Sequence, residues 1–397
     1  MSAAKAPLLS VEEAQARVLA LAVPLPTERV ALSQAHGRVL AEDALARRAQ
    51  PPFDASAMDG YALRAEDARP GARLRVIGGA AAGRRFSGRV GPGEAVRIFT
   101  GAPIPEGAGR VAIQEEVGRE GEWAILLPSA SEGSNIRPKG GDFAEGARLS
   151  APRRLRPADL ALLAAMNVGE IRAFRRPDVA LIATGDELVM PGDAPGEDQI
   201  VASNIFGLKA LIEAEGGRAR MLPIAKDRPD ALSAVFGLAK GADLIVTIGG
   251  ASVGEHDLVA KVAADLGMEL AFHKVALRPG KPLLSGRLHG APLLGLPGNP
   301  VSAMVCGHLF LLPILRAMQG VPDPLPKPMT ATLAQDLPEN GPRAHYMRAR
   351  LSEGRIAPFP AQDSSLLSIL AEANALLIRA PSEGHRNKGE TVRYLPI

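Results

Sequence analysis

The sequence predicts a multidomain protein of α/β plus β class. A doubly wound α/β domain is expected together with an inserted β-rich domain, an elongated helical domain split by that insertion, and a C-terminal β domain. Three observations carry this expectation. The 397 residues exceed one ordinary core, which holds roughly 100–200 residues. Gly and Pro number 42 and 34, so many turns must separate short elements. The texture of the chain also changes along its length, from helical periodicity to short alternating runs, then to strand–helix alternation, then back to β.

Taken in order, residues 10–22 read as a helix, with Ser10 as N-cap and Glu13 completing a capping box. Val11, Ala14, Val18 and Leu21 fall on one face. A second short helix is expected over 33–40. From 45 to about 150, short runs at 74–77, 95–99 and 111–116 are broken by Gly and Pro, the pattern of a small β domain. Residues 157–169 return to helix, with Pro157 at its start. Between 177 and 320 strands and helices alternate. Strands are expected at 179–184, 221–225, 244–248 and 293–296. Helices are expected at 203–215, capped by Ser203, and at 228–240, 257–266 and 301–318. Near-continuous apolar strands of this kind imply a parallel sheet covered on both faces. After the prolines 322, 324, 326 and 328, β texture resumes at 329–334, 345–351 and 391–394.

Composition excludes several functions. Hydrophobic residues make up 46 % and charged residues 22 %, as in soluble globular proteins. Aromatics at 4 % are too few for the stacking platforms that bind single-stranded nucleic acid. A formal charge of +3 suits anionic ligands better than a nucleic-acid footprint. The single cysteine, Cys306, excludes an intrachain disulfide and any multi-cysteine metal site, and reads as a small core residue. With no secretory pattern and no run of about 18 apolar residues, a cytoplasmic chain with no membrane span is expected.

Three loops at strand ends carry unusual residues. They are Thr184-Gly185-Asp186-Glu187-Leu188, the segment from Gly249-Gly250 through Ser252, Gly254 and Asp257, and Pro297-Gly298-Asn299-Pro300-Val301-Ser302. Ligands of open parallel sheets bind outside the carboxyl ends of the strands. Glycines there expose N–H groups to an anion, and acids beside them point to a cation or a polar ring. Any one loop reads more readily as a glycine ending a strand and a carboxylate capping a helix; all three at one edge favour a ligand site. Arg278-Pro279-Gly280-Lys281-Pro282 places two cations on a proline-restricted turn, either a solvated surface turn or a seat for a tetrahedral oxyanion.

In the β-rich insertion, the segments 54–62, 97–103 and 137–142 combine Asp59, Thr100, Arg137 and Asp142, each individually an ordinary turn residue. No G-x-G-x-x-G opens a βαβ unit, and Walker A and H-E-x-x-H patterns are absent. The G-x-S-x-G at 250–254 lacks the immediate helix of a nucleophile elbow.

Six ordered segments resemble MoeA-type molybdopterin molybdenumtransferases, to which the E domains of gephyrin and of the plant molybdenum insertase are similar. These segments are Ser56-Ala57-Met58-Asp59-Gly60-Tyr61-Ala62, Thr100-Gly101-Ala102-Pro103, Thr184 to Leu188, Ser252 to Asp257, Pro279-Gly280-Lys281-Pro282 and Leu296 to Ser302. The resemblance runs from about residue 8 to 397. It implies a helical domain of 1–44 and 147–176, the β insertion at 45–146, a molybdopterin-binding α/β domain at 177–322 and a C-terminal β domain at 323–397.

It further implies a homodimer with a shared active site. That site would insert molybdenum from molybdate into adenylated molybdopterin, hydrolysing the adenylate with Mg²⁺ to give molybdenum cofactor and AMP. Asp59, Thr100, Asp142, Glu187 and Asp257 match the functional polar set, and Asp227 and Asp257 the Mg²⁺ side. Lys281, Pro282, Ser302, Arg343 and Ser364 match the molybdate pocket. Gly249, Gly250, Ser252, Gly254, Arg278, Pro297, Gly298, Asn299 and Arg137 are the further expected substrate contacts. Arg278 stands where many members have Lys, and His345 where an acid is common.

Expected partners are proteins of molybdopterin synthesis or adenylylation and molybdoenzyme acceptors. A non-catalytic pterin carrier or scaffold is the alternative, and a carrier would not need the carboxylate set. Adenylylation of molybdopterin and a preference for tungstate are further readings.

Overall fold

The computed structural model describes residues 8–131, 133–250 and 258–397. The first helix, Val11–Leu19, begins where the sequence places it. The Ser10 hydroxyl accepts from the Glu13 N–H, and the Glu13 carboxylate accepts from the Ser10 N–H, satisfying two orphan donors of the first turn. Its buried Val11, Ala14 and Val18 join the core of the α/β region. No second helix follows. Residues 33–40 hold only the tail of a single 3₁₀ turn, Leu32–Gln34, and the strand Val39–Leu40.

That strand belongs to a four-stranded sheet, in the order Thr27–Ala31, Glu170–Phe174, Val39–Leu40, Arg153–Arg154. The region expected to be helical is therefore a sheet carrying the helix Pro157–Ala165. Its apolar face is closed by short runs such as Val39–Leu40, which are too brief for helical periodicity. Glu215 joins this sheet to the α/β region, accepting from Arg154 at 2.5 Å and from Arg316 at 2.9 Å.

The inserted β region contains a six-stranded sheet in the order Arg110–Ile113, Gly60–Leu63, Glu94–Ile98, Arg73–Ala80, Trp123–Leu126, Val117–Glu120. Alternation along Gly60–Leu63 sends Tyr61 and Leu63 into one core cluster and Ala62 into another, as a period of two requires.

The α/β sheet runs Arg218–Met221, Asp178–Ala183, Leu244–Ile248, Ala291–Leu296, Leu284–Leu288, Glu269–His273. The first four strands are parallel, Leu284–Leu288 runs against them, and Glu269–His273 pairs antiparallel with it, so the sheet is mixed rather than wholly parallel. Both faces are covered. Val179, Leu181 and Ala183 pack with Ile205, Leu208 and Ile212, while Ala180 and Ile182 pack with Leu232, Phe236 and Val259. The strand expected at 221–225 lies earlier, at Arg218–Met221, because the short turn after Ala214 brings the chain back into the sheet sooner.

Ser203 precedes the helix Asn204–Ala214 in αR conformation and makes no capping bond. Its hydroxyl instead lies beside the side chain of Asn204.

The helix Pro300–Met318 has 19 residues and is long and apolar enough to cross a membrane by length and composition, against the expectation of no such run. It is packed inside the α/β core through Val301, Val305, Phe310 and Leu315. Its middle, Gly307–Leu311, is a π-helical turn. Pro313 cannot donate to the carbonyl four residues back, and Gln15 donates to that Leu309 carbonyl at 3.0 Å.

In the C-terminal region, Met329–Leu333, Arg355–Pro358, Ala344–Ser352, Ala375–Arg379 and Thr391–Pro396 pair in a closed ring. The two-residue strand Leu277–Arg278 of the α/β region pairs onto this barrel beside Ala344 and His345. That pairing brings the cationic turn against the barrel.

Candidate functional site

Two clefts open along the carboxyl ends of the parallel strands. The larger, of about 620 Å³, is lined by Thr184, Gly185, Glu187, Ser203, Asn204, Asp227, Gly249, Gly250, Pro297, Gly298 and Asn299, among others. The Gly249-Gly250 pair follows the strand Leu244–Ile248 with φ of 92° and 65°. A Cβ on Gly249 would sit 2.7 Å from the Thr184 carbonyl, and one on Gly250 2.9 Å from the Thr184 hydroxyl. Only glycine fits both the backbone angle and this approach.

The floor of the cleft is therefore bare backbone and its rim is acidic. The Ala225 carbonyl accepts from the Gly185 N–H, and Asp186 accepts from the Asp227 N–H at 3.2 Å. These bonds hold the 184–188 loop against 225–227. Asp227 consequently faces Asp186 and Glu187. Desolvation on its packed side, then the negative charge of those two acids, holds its carboxyl above the ordinary carboxylate range. Neither Glu187 nor Asp227 has an ion-pair partner among the described residues. Among those residues no three His, Cys, Asp or Glu side chains stand close enough to hold a metal ion.

The smaller cleft, of about 300 Å³, is lined by Arg278, Pro279, Gly280, Lys281, Pro282, Asn299, Ser302, Arg343, Gln362, Asp363 and Ser364. Pro282 and Asn299 belong to both linings, so the clefts adjoin. The Asn299 amide donates to the Ser364 hydroxyl at 2.9 Å, and the Val301 N–H to the Ser364 carbonyl at 3.0 Å. Arg343 donates to the Leu277 carbonyl at 3.3 Å. Arg278, Lys281 and Arg343 form no ion pair among the described residues. Three cations against the one carboxylate of Asp363, around a hydroxyl-bearing cavity, favour an anion of high charge density.

The expected residues thus divide into four sets. Glu187, Asp227, Gly249, Gly250, Pro297, Gly298 and Asn299 meet in the larger cleft, while Arg278, Lys281, Pro282, Ser302, Arg343 and Ser364 meet in the smaller. Ser252, Gly254 and Asp257 lie outside the described residues. Asp59, Thr100, Arg137 and Asp142 line neither cleft within one chain.

This last group converges on the β insertion. Asp59 accepts from the Thr100 N–H at 2.7 Å and from its hydroxyl at 2.8 Å. Those bonds, the backbone one first, hold the Asp59 carboxyl below the ordinary carboxylate range. Arg137 pairs with Ala55 across a two-stranded ribbon, and the Asp142 N–H donates to the Gln50 carbonyl.

Sequence reasoning missed Asn204, whose amide donates to the Gly298 carbonyl at 2.6 Å, and Gln362 and Asp363 in the smaller cleft. Thr184 stood inside a recognised segment, and its hydroxyl at a strand end was a usable signal. Asn204 offered none, because only the fold sets it beside Gly298.

The chain matches family models over three consecutive segments. Residues 9–167 match the MoeA N-terminal region (domain I and II), 180–317 a probable molybdopterin binding domain, and 330–397 the MoeA C-terminal region (domain IV). A molybdopterin molybdenumtransferase of Haemophilus influenzae is 34 % identical, covering 98 % of this chain and 99 % of the relative. One of Bacillus subtilis is 34 % identical, covering 98 % and 94 %. The crystal structure of the molybdopterin biosynthesis MoeA protein of Pyrococcus horikoshii superposes with a TM-score of 0.83 at 29 % identity, covering 98 % of this chain and 100 % of that one. Ordered motifs, three matching family segments and full-length relatives agree: the chain belongs to the molybdopterin molybdenumtransferases, an enzyme family of molybdenum cofactor biosynthesis.

Proposed function

We propose that the chain inserts molybdenum from molybdate into adenylated molybdopterin, releasing molybdenum cofactor and AMP. The observation that carries this reading is the meeting of two unlike clefts at Pro282 and Asn299. The larger cleft has a glycine floor for phosphate and ring, and the smaller has three cations for a tetrahedral dianion. A metal oxyanion held in the second would lie beside the pterin held in the first, which turns an encounter in solution into a neighbouring-site transfer.

Arg278, Lys281 and Arg343 supply charge, and Ser302 and Ser364 supply hydroxyl donors. In adenylate hydrolysis a water oxygen joins one phosphorus of the anhydride, and the bridging oxygen leaves with the other phosphate. Glu187, without an ion-pair partner among the described residues, would take that water's proton. Asp186, Glu187 and Asp227 do not by themselves form a metal site; by the family resemblance Asp227 with Asp257 would hold Mg²⁺. Such an ion supplies charge neutralisation at the phosphates.

The reading includes a homodimer, and the residues left over support it. Asp59, Thr100, Arg137 and Asp142 lack a cleft in their own chain. At the mouth of the larger cleft, Ile200 and Val201 are 58 % and 41 % exposed, an apolar rim that a second copy would cover.

The test is to incubate the purified chain with adenylated molybdopterin, molybdate and Mg²⁺. AMP release together with active cofactor is expected. Absence of both refutes the reading, and tight pterin binding without AMP favours a carrier instead.

A further inference from the structure

The smaller cleft has three walls: the 278–282 turn, the start of the helix Pro300–Cys306, and the barrel residues Arg343 and Ser364. Ser302 lines it, is 4 % exposed, and has no hydrogen-bond partner among the described residues. Its hydroxyl, on a residue otherwise packed away, is open to the cleft and can donate to an oxyanion there. One helical turn further on, Cys306 is fully buried. It lines neither cleft, and burial pushes its thiol far above neutral pH.

Its sulfur nevertheless carries the opposite wall. A Cβ on Gly280 would sit 2.6 Å from Cys306 Sγ and 3.0 Å from Leu277 Cδ2. Gly280 has a φ of 117°, and the Sγ lies 4.0 Å from the Gly280 carbonyl. The backbone of the turn therefore rests directly on the side chain at 306, with Lys281 as the next residue. Ser302 and Cys306 share one helix, so the volume at 306 sets how far Lys281 stands from Ser302. Packed interiors transmit a change of one methyl group as a shift of their neighbours.

We propose that Cys306 is the positioning residue that sets the width of this cleft and with it the selectivity among tetrahedral oxyanions. The inference rests on the reading of the cleft as the oxyanion seat. With Cys306→Ala the turn sinks toward the helix, and the smaller anion gains. With Cys306→Val the turn is lifted, and the larger anion gains. Cys306→Ser keeps the volume and preserves the ratio.

The experiment is calorimetric titration of the full-length protein and of Cys306→Ala, Cys306→Val, Cys306→Ser and Lys281→Met with molybdate and with sulfate, alongside thermal melts. The molybdate-to-sulfate affinity ratio is expected to fall with Cys306→Ala and to rise with Cys306→Val, each by on the order of threefold to tenfold. With Cys306→Ser it stays within about twofold of the unmodified value. Opposite signs are a result that mere loss of stability cannot produce. An unchanged ratio overturns the proposal, as does a shift in one direction for both substitutions that tracks the fall in melting temperature. If the unmodified protein binds neither anion and Lys281→Met behaves identically, the assignment of the cleft itself falls, and the inference falls with it.

Discussion

Asp59 in the β insertion and Asp227 at the α/β cleft are both carboxylates on loops, yet their surroundings are opposite. Asp59 is satisfied by its own chain, with two donors from Thr100 lowering its pKa. Asp227 is crowded by Asp186 and Glu187, and its pKa is raised. A satisfied carboxylate shapes a loop. A crowded one stores electrostatic repulsion that a cation or a phosphate-bound ion would relieve, which is the mark of a functional position.

The largest effects should come from the groups that face ligands. Glu187→Ala is expected to reduce turnover by about 100-fold or more, the scale of losing one preorganised electrostatic group, with little change in the melting curve. Unchanged turnover would remove Glu187 from the chemistry. Lys281→Met should weaken molybdate binding by roughly 10- to 100-fold, because a hydrogen bond to a charged group contributes about 1.5–3 kcal/mol. Calorimetry reads this directly.

Smaller and more telling is Asp227→Asn. It should lower turnover while raising the melting temperature by on the order of 1–2 °C, since it removes repulsion at an exposed site where solvent screens most of the gain. A lower melting temperature would show that Asp227 is held by something other than like charges.

The same contrast fixes the pH behaviour. Asp59 has a folded pKa below its ordinary 3.8, so its stabilising contribution is present above that value and is lost as pH falls through the lowered one. Asp227 has a folded pKa above 3.8, so its repulsion is present above the raised value and is relieved on acidification. Carboxyl titrations followed by NMR should place the two midpoints on opposite sides of 3.8. Midpoints on the same side would erase the contrast between the two carboxylates.

The smallest expected effect is that of Thr100→Val. It should speed amide exchange around Asp59 yet leave molybdate affinity within about twofold, since the two sites share no contact in one chain and distant sites act independently. A larger loss would mean that the second copy brings Thr100 to the oxyanion cleft itself rather than to the larger cleft.

Much of the fold was legible because it is written in short-range pattern. The Ser10–Glu13 box, the apolar run 244–248 and the Pro157 helix start each state their structure locally. The expected helix at 33–40 failed for the complementary reason. Two-residue strands such as Val39–Leu40 have no period of their own and exist only because Glu170–Phe174 and Arg153–Arg154 flank them. The mixed sheet escaped because the edge strand Glu269–His273 is largely exposed and shows little apolar pattern, and a strand's direction is not written in its own residues.

Sequence alone determined which chemistries were available: acids and glycines at strand ends, a cationic proline turn, and ordered segments shared with a transferase family. Tertiary structure decided which of them meet. The pairing of Leu277–Arg278 onto the barrel sets Arg343 beside Lys281, and the packing of Cys306 beneath Gly280 sets the height of the turn between them. Residues scores of positions apart carry no mutual signal along the chain, and their spacing is fixed only when buried side chains fill the volume between them.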